Sequence, residues 1–95
     1  MRQPGEISGE AKPRLPRGVR LKNDETRGGY VLLAPERVVR ADAVAVAILG
    51  LCDGTRTLNR LVDELCEVYK GDRARIEADV RALLADLVAK RMVEL

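Results

Sequence analysis

Tyr30-Val31-Leu32-Leu33-Ala34-Pro35-Glu36-Arg37-Val38-Val39-Arg40 is the stretch on which the fold of this 95-residue chain turns. Tyr30 to Leu33 is a short apolar run of strand type. Ala34-Pro35 breaks it, because proline fixes its own φ and offers no N–H, and Glu36 to Arg40 resumes as a further strand. Upstream, Val19-Arg20-Leu21-Lys22 alternates apolar and charged residues, the period of a half-buried strand. The polar run from Asn23 to the paired Gly28-Gly29 lies between them, and glycines that accept positive φ predict a hairpin loop. Three short strands are therefore expected before residue 41.

Beyond Asp42, a ready N-cap, the period changes to that of helices. Val44, Ala45, Ile48, Leu49 and Cys52 form the stripe of a short first helix, with Asp53-Gly54 as its stop. Thr57 caps a second helix in which Leu58, Leu61, Val62, Leu65, Cys66 and Tyr69 trace one apolar face. Gly71-Asp72 ends it. A third helix is predicted over Arg73 to Lys90, with Ile76, Val80, Leu83, Leu84, Leu87 and Val88 inward. Its outer face carries Glu77/Arg81 and Asp86/Lys90, acid-first pairs at the spacing that stabilises a helix. Met92 to Leu95 closes the chain as an extended stub. The expected class is α+β, three N-terminal β-strands followed by three α-helices in a winged helix-turn-helix-like arrangement. Residues 1–17, with three of the four prolines and Ile7 and Leu15 as their large aliphatics, read as a flexible N-terminal tail, which leaves 18–95 as the domain.

Composition narrows the chemistry. Histidine is absent and cysteine occurs twice, which removes the ordinary zinc sites, the histidine-based triads and the commonest general base. No enzymatic activity, cofactor or metal is expected. Cys52 and Cys66 lack a CxxC partner and read as small core hydrophobes, with a reversible disulfide as the alternative. Two tyrosines and no other aromatics are too few for a platform that stacks single-stranded nucleic acid. No apolar run approaches a membrane span and the first residues do not resemble a secretory signal, so a cytoplasmic protein without membrane association is expected.

A winged-helix shape raises the alternative of a DNA-binding regulator, and the charge distribution argues against it. Residues 1–40 hold nine Lys+Arg against five Asp+Glu, whereas residues 41–95 hold eight against ten. The helical half, which would have to face phosphates and base edges, is the acidic one, and its third helix has no Asn or Gln. No nucleic-acid partner is expected. The third strand offers more. By chain order it lies at the edge of a three-stranded sheet, where unpaired N–H and C=O groups are either protected or used. Arg37 and Arg40 are either edge-protecting charges or the rim of a groove in which a partner's extended segment adds as the next strand.

The run from Tyr30 to Val39, followed by Asp42, Ile48-Leu49-Gly50-Leu51-Cys52-Asp53-Gly54 and Thr57, closely resembles the PqqD family. The similarity continues through Leu65, Tyr69 and the segment from Glu77 to Leu84 to Lys90-Arg91-Met92-Val93, over roughly residues 17–95. The resemblance implies a noncatalytic peptide chaperone of pyrroloquinoline quinone biosynthesis. Such a protein captures the leader of the PqqA precursor peptide and presents it to the radical SAM enzyme PqqE. The family's binding mode, carried onto this chain, puts the peptide against Glu36, Arg37, Val38, Val39 and Arg40. Helix three would contribute from among Ile76, Val80, Leu83 and Leu84, with the division between groove and core left open.

Overall fold

The structure, a computed structural model, describes residues 7–95. Strands β1 (Arg20–Asn23), β2 (Tyr30–Ala34) and β3 (Arg37–Ala41) form an antiparallel sheet in the order β1-β2-β3, and helices α1 (Ala43–Leu49), α2 (Leu58–Tyr69) and α3 (Arg73–Ala89) follow. The α+β, winged-helix-like order expected from the sequence is the order observed. Gly28 and Gly29, at φ 79° and 77°, turn the β1–β2 loop.

Register divides the sheet into two faces, because residues directly paired across strands point the same way. Leu21, Leu32 and Val39 are aligned across the three strands and face the helices, where Leu32 is almost wholly buried. The opposite face carries the rows Arg20–Leu33–Val38 and Lys22–Val31–Arg40. Val31 is buried, yet it lies outside the main core cluster. That core is built from Leu32, from Ile48 and Leu49 of α1, from Leu58, Leu61, Val62 and Leu65 of α2, from Val80, Leu84 and Leu87 of α3, and from Met92 and Val93.

Each helix starts on a side-chain cap. Asp42 accepts from the Ala45 N–H at 2.8 Å, Thr57 from Arg60 at 3.2 Å and Asp72 from Ala74 at 3.1 Å. The end of α1 comes earlier than expected, at Gly50 instead of Asp53-Gly54. The chain tightens into three-residue turns there, with Leu51 donating to Ile48 O and Cys52 to Leu49 O. Asp53 then builds its own turn by accepting from the Thr55 N–H, the Thr55 hydroxyl and the Arg56 N–H, and these donors hold its carboxyl down to about 2. Cys52 consequently stands outside the helix but inside the core. Its Sγ donates to Ile48 O, and burial pushes the thiol up to about 12. Cys66 is half-buried on α2, and both cysteines are free thiols. Lys70, in the left-handed region at φ 50°, ends α2 just before Gly71.

Residues 7–17 do not behave as the expected tail; residues 1–6 lie outside the described part. Ile7 and Pro13 are buried, and Ala11 and Leu15 pack on the core. The backbone also has partners. The N–H groups of Leu58 and Asn59, two of the orphan donors at the start of α2, donate to Ala11 O and Gly9 O, while Arg14 and Glu94 exchange N–H···O bonds at 2.8 and 2.9 Å. The few apolar residues suffice because their docking site is supplied by α2 and the C-terminal stub, whose Met92 and Val93 are buried beneath it.

Candidate functional site

Strand β3 pairs with β2 along one edge, and among the described residues no strand pairs with the other. Its five residues thus present a row of backbone donors and acceptors beyond the sheet, alternate residues directing N–H and C=O outward. Glu36, expected as part of this strand, sits in the turn just before it, and Ala41 extends it by one residue.

The two arginines of the strand do different things. Arg37 pairs with Ala34 and Arg40 with Val31, so their side chains leave the strand on opposite faces. They do not form the two sides of one rim. Arg37 is exposed and has no carboxylate at ion-pair distance among the described residues. Arg40 is committed internally: it donates to Asp24 Oδ2 at 2.7 Å and to Gly28 O at 2.7 Å. Asp24 also accepts from the N–H groups of Arg27 and Thr26. The Arg27 N–H, then the Arg40 guanidinium and the Thr26 N–H, hold its carboxyl below the usual aspartate range.

Asp42 links β3 directly to α1, whose Val44 and Ile48 form one wall of an apolar cavity of about 110 Å³. Leu65 and Tyr69 from α2 and Ile76, Asp79 and Val80 from α3 complete it. Val44 and Tyr69, expected to point inward, are 52% and 53% exposed, because each lies at a helix end where the apolar stripe runs past the core. Of the four helix-three candidates, Ile76 and Val80 line the cavity. Val80 belongs equally to the core, Leu84 is fully buried in it, and Leu83 is partly buried away from the cavity. The sequence reading did not single out Val44, Ile48, Leu65, Tyr69 and Asp79 as lining a site. The signal for two of them was a large apolar residue at the terminus of a helix, where little core remains to cover it.

The surface of α3 has little to offer phosphates. Arg73 pairs with Asp63, Arg75 with Asp79, Arg81 with Glu77 and Lys90 with Asp86, so every cation on the helix and at its cap already faces a carboxylate. Among the described residues, no three Cys, Asp or Glu side chains gather to hold a metal ion, and no helix is long and apolar enough to cross a membrane.

A three-stranded sheet leading into three helices, with the outer edge of β3 unpaired among the described residues and an apolar cavity beside the helix that follows it, defines a small winged-helix-like domain. The same fold is found in the solution NMR structure of the PqqD truncation of Methylobacterium extorquens PqqCD. That structure is described as a functional, stand-alone RiPP recognition element, and is 49% identical with a TM-score of 0.83 over 97% of this chain and 98% of its own. The crystal structure of PqqD from Xanthomonas campestris is 40% identical, with a TM-score of 0.60 over 95% of this chain and 100% of its own. Among curated proteins, the PqqA binding protein of Rhodopseudomonas palustris strain BisB5 is 49% identical over 84 residues, 88% of this chain and 82% of the relative. The bifunctional coenzyme PQQ synthesis protein C/D of Methylorubrum extorquens is 49% identical over 92 residues, which are 97% of this chain but 25% of that longer protein. The sequence model of coenzyme PQQ synthesis protein D matches residues 29–93, and the chain belongs to the PqqD family.

Proposed function

We propose that this chain is a noncatalytic peptide chaperone: it binds the PqqA precursor peptide and presents it to the radical SAM enzyme PqqE in cytoplasmic pyrroloquinoline quinone biosynthesis. The observation that carries the reading is the open edge of β3 running through Asp42 into α1 and its apolar cavity. An extended peptide can add there as a fourth strand. Main-chain hydrogen bonds then supply affinity, and a pocket beside the strand supplies specificity. Relatives named for PqqA binding, at about half identity over most of the chain, support the choice of peptide.

In this reading Arg37, Val38, Val39 and Arg40 contribute backbone to the added strand, and Glu36 adjoins it. Ile76 and Val80, with Val44 and Tyr69, take an apolar side chain of the peptide. Leu84 supports the site from within the core, and Leu83 lies outside it. Arg40 acts by holding the β1–β2 loop against β3, leaving Arg37 as the arginine free to steer an acidic segment.

Calorimetric titration of the protein with synthetic PqqA tests the reading. Saturable one-to-one binding that survives a salt series supports it. Absence of peptide binding, or binding of duplex DNA whose affinity falls log-linearly with salt, contradicts it. Presentation is tested in the same format, by adding PqqE with and without peptide: a complex of all three supports it, and two mutually exclusive complexes refute it.

A further inference from the structure

The helix side of β3 presents a row with unlike ends. Arg37, Val39 and Ala41 alternate along the strand opposite Ala34, Leu32 and Tyr30, so all three belong to the face turned toward the helices. Val39 and Ala41 pack on the core there. Arg37 begins the row as an exposed cation without a carboxylate at ion-pair distance among the described residues. Past Ala41, Val44 in the first turn of α1 starts the wall of the apolar cavity of about 110 Å³. Four residues of strand, about 13 Å, separate Arg37 from Ala41. Of the carboxylates bordering the row, Asp42 caps α1 and Asp79, at the cavity, faces Arg75 at 3.9 Å. Glu36 stands in the turn before β3.

We infer that the groove reads the spacing and order of two side chains in the added peptide: an aliphatic residue that enters the cavity, followed two or four positions later by a carboxylate that meets Arg37. The inference rests on the chaperone reading above and deepens it. An added strand alternates its side chains as β3 does, so the residues that reach the helix side lie an even number of positions apart. The one level with Ala41 comes beside Val44 and the cavity. Those level with Val39 and Arg37 are two and four positions away, and a guanidinium on its long stem covers both. Order follows from direction. The sheet is antiparallel throughout, and antiparallel addition, the stabler pairing per residue, brings the residue level with Ala41 before the one level with Arg37. The cavity sets the type of the first residue. An apolar cavity of roughly 150 Å³ holds a benzene ring, so this smaller one suits Leu, Ile or Val and is too small for an indole. Asp79 at its lip repels a carboxylate, which keeps the two anchors from exchanging places. Main-chain hydrogen bonds form equally well after a two-residue slip, so these side chains are what hold the peptide in one register.

Double-mutant cycles between the protein and synthetic PqqA are the test. Arg37→Ala and Val44→Ala remove exposed side chains and leave the core in place, and Tyr69→Ala, exposed on the α2 wall, is the second cavity variant. Each Leu, Ile and Val of the peptide is changed to Ala in turn, each Asp to Asn and each Glu to Gln, and every peptide is titrated against parent and variants. One aliphatic position is expected to cost about tenfold in affinity with the parent and far less with the cavity variants. One acidic position, two or four residues C-terminal to it, is expected to cost about threefold with the parent and nothing with Arg37→Ala. A coupled pair an odd number of residues apart, or with the acid first, overturns the inference and leaves the chaperone reading intact. So does a scan in which no acidic position couples to Arg37, or no aliphatic one to Val44 or Tyr69. A parent that fails to bind PqqA refutes the chaperone reading itself, and with it this inference.

Discussion

Arg40 and Asp24, sixteen positions apart, form an ion pair at 2.7 Å that fastens the β1–β2 loop to the outer strand of the sheet. The guanidinium also takes Gly28 O, so one side chain closes the loop from both ends. Arg40→Ala and Asp24→Ala are each expected to lower the thermal midpoint slightly, and the double variant to lower it no further than the worse of the two. Strict additivity in this double-mutant cycle would show that the pair is not coupled. Charge reversal at Arg40 should disturb the loop amides in an NMR spectrum, whereas Arg37→Glu should leave them in place and slow only peptide association.

The segment 7–17 is expected to be part of the stability of the domain. Removal of residues 1–14 takes away buried Ile7 and Pro13 and uncovers the N–H groups of Leu58 and Asn59. The loss of large apolar side chains, at about 1.5–3 kcal/mol each when fully buried, should lower the midpoint by several degrees in a thermal melt. An unchanged midpoint would mean that the segment does not stay docked in solution.

Core and groove separate by the ratio of stability to binding. Leu61→Ala and Leu84→Ala, at positions fully excluded from solvent, should each cost about 2–5 kcal/mol in denaturant unfolding. Ile76→Ala, at a partly buried position that lines the cavity, should cost less stability and weaken peptide binding in a protein that still melts cooperatively. If Ile76→Ala binds like the parent, the cavity does not receive the peptide.

Acid sensitivity should trace in part to Asp53. Its folded-state value is depressed, from 3.8 to about 2, so the stability it contributes is present above the unfolded value and is lost as pH falls through that window. Asp53→Asn should therefore be less stable than the parent at neutral pH and show a shallower decline of melting temperature between pH 4 and pH 2. A parallel decline in both proteins would remove Asp53 from the account.

What the sequence disclosed follows from the range of the signals it carries. Strand alternation around Val19–Lys22, the Ala34-Pro35 break and the stripe from Leu58 to Leu65 are local patterns, and the elements stand where those patterns put them, within a residue or two. The docking of Ile7 and the exchange between Arg14 and Glu94 were not legible, because the groups that receive residues 7–17 come from far along the chain. Periodicity also says which side of a helix is apolar without saying whether anything covers it. Val44 and Tyr69 read as core for that reason, and Ile76 as core or groove, yet all three line an open cavity between the three helices. The opposite roles of Arg37 and Arg40 were implicit in their odd spacing on a strand, but the partner that occupies Arg40 lies across the hairpin.

The claim that peptide adds along β3 is tested most directly by proline at each of two adjacent positions, Arg37→Pro and Val38→Pro, with peptide affinity and the helical circular-dichroism signal measured on the same samples. N–H groups alternate in direction along a strand, so one of the two substitutions removes a donor aimed at solvent and the other a donor aimed at β2. The first should abolish peptide binding with the helical signal unchanged, and the second should chiefly disturb the fold. If both variants keep their helices and bind the peptide with the affinity of the parent, the open edge of β3 is not where the peptide binds.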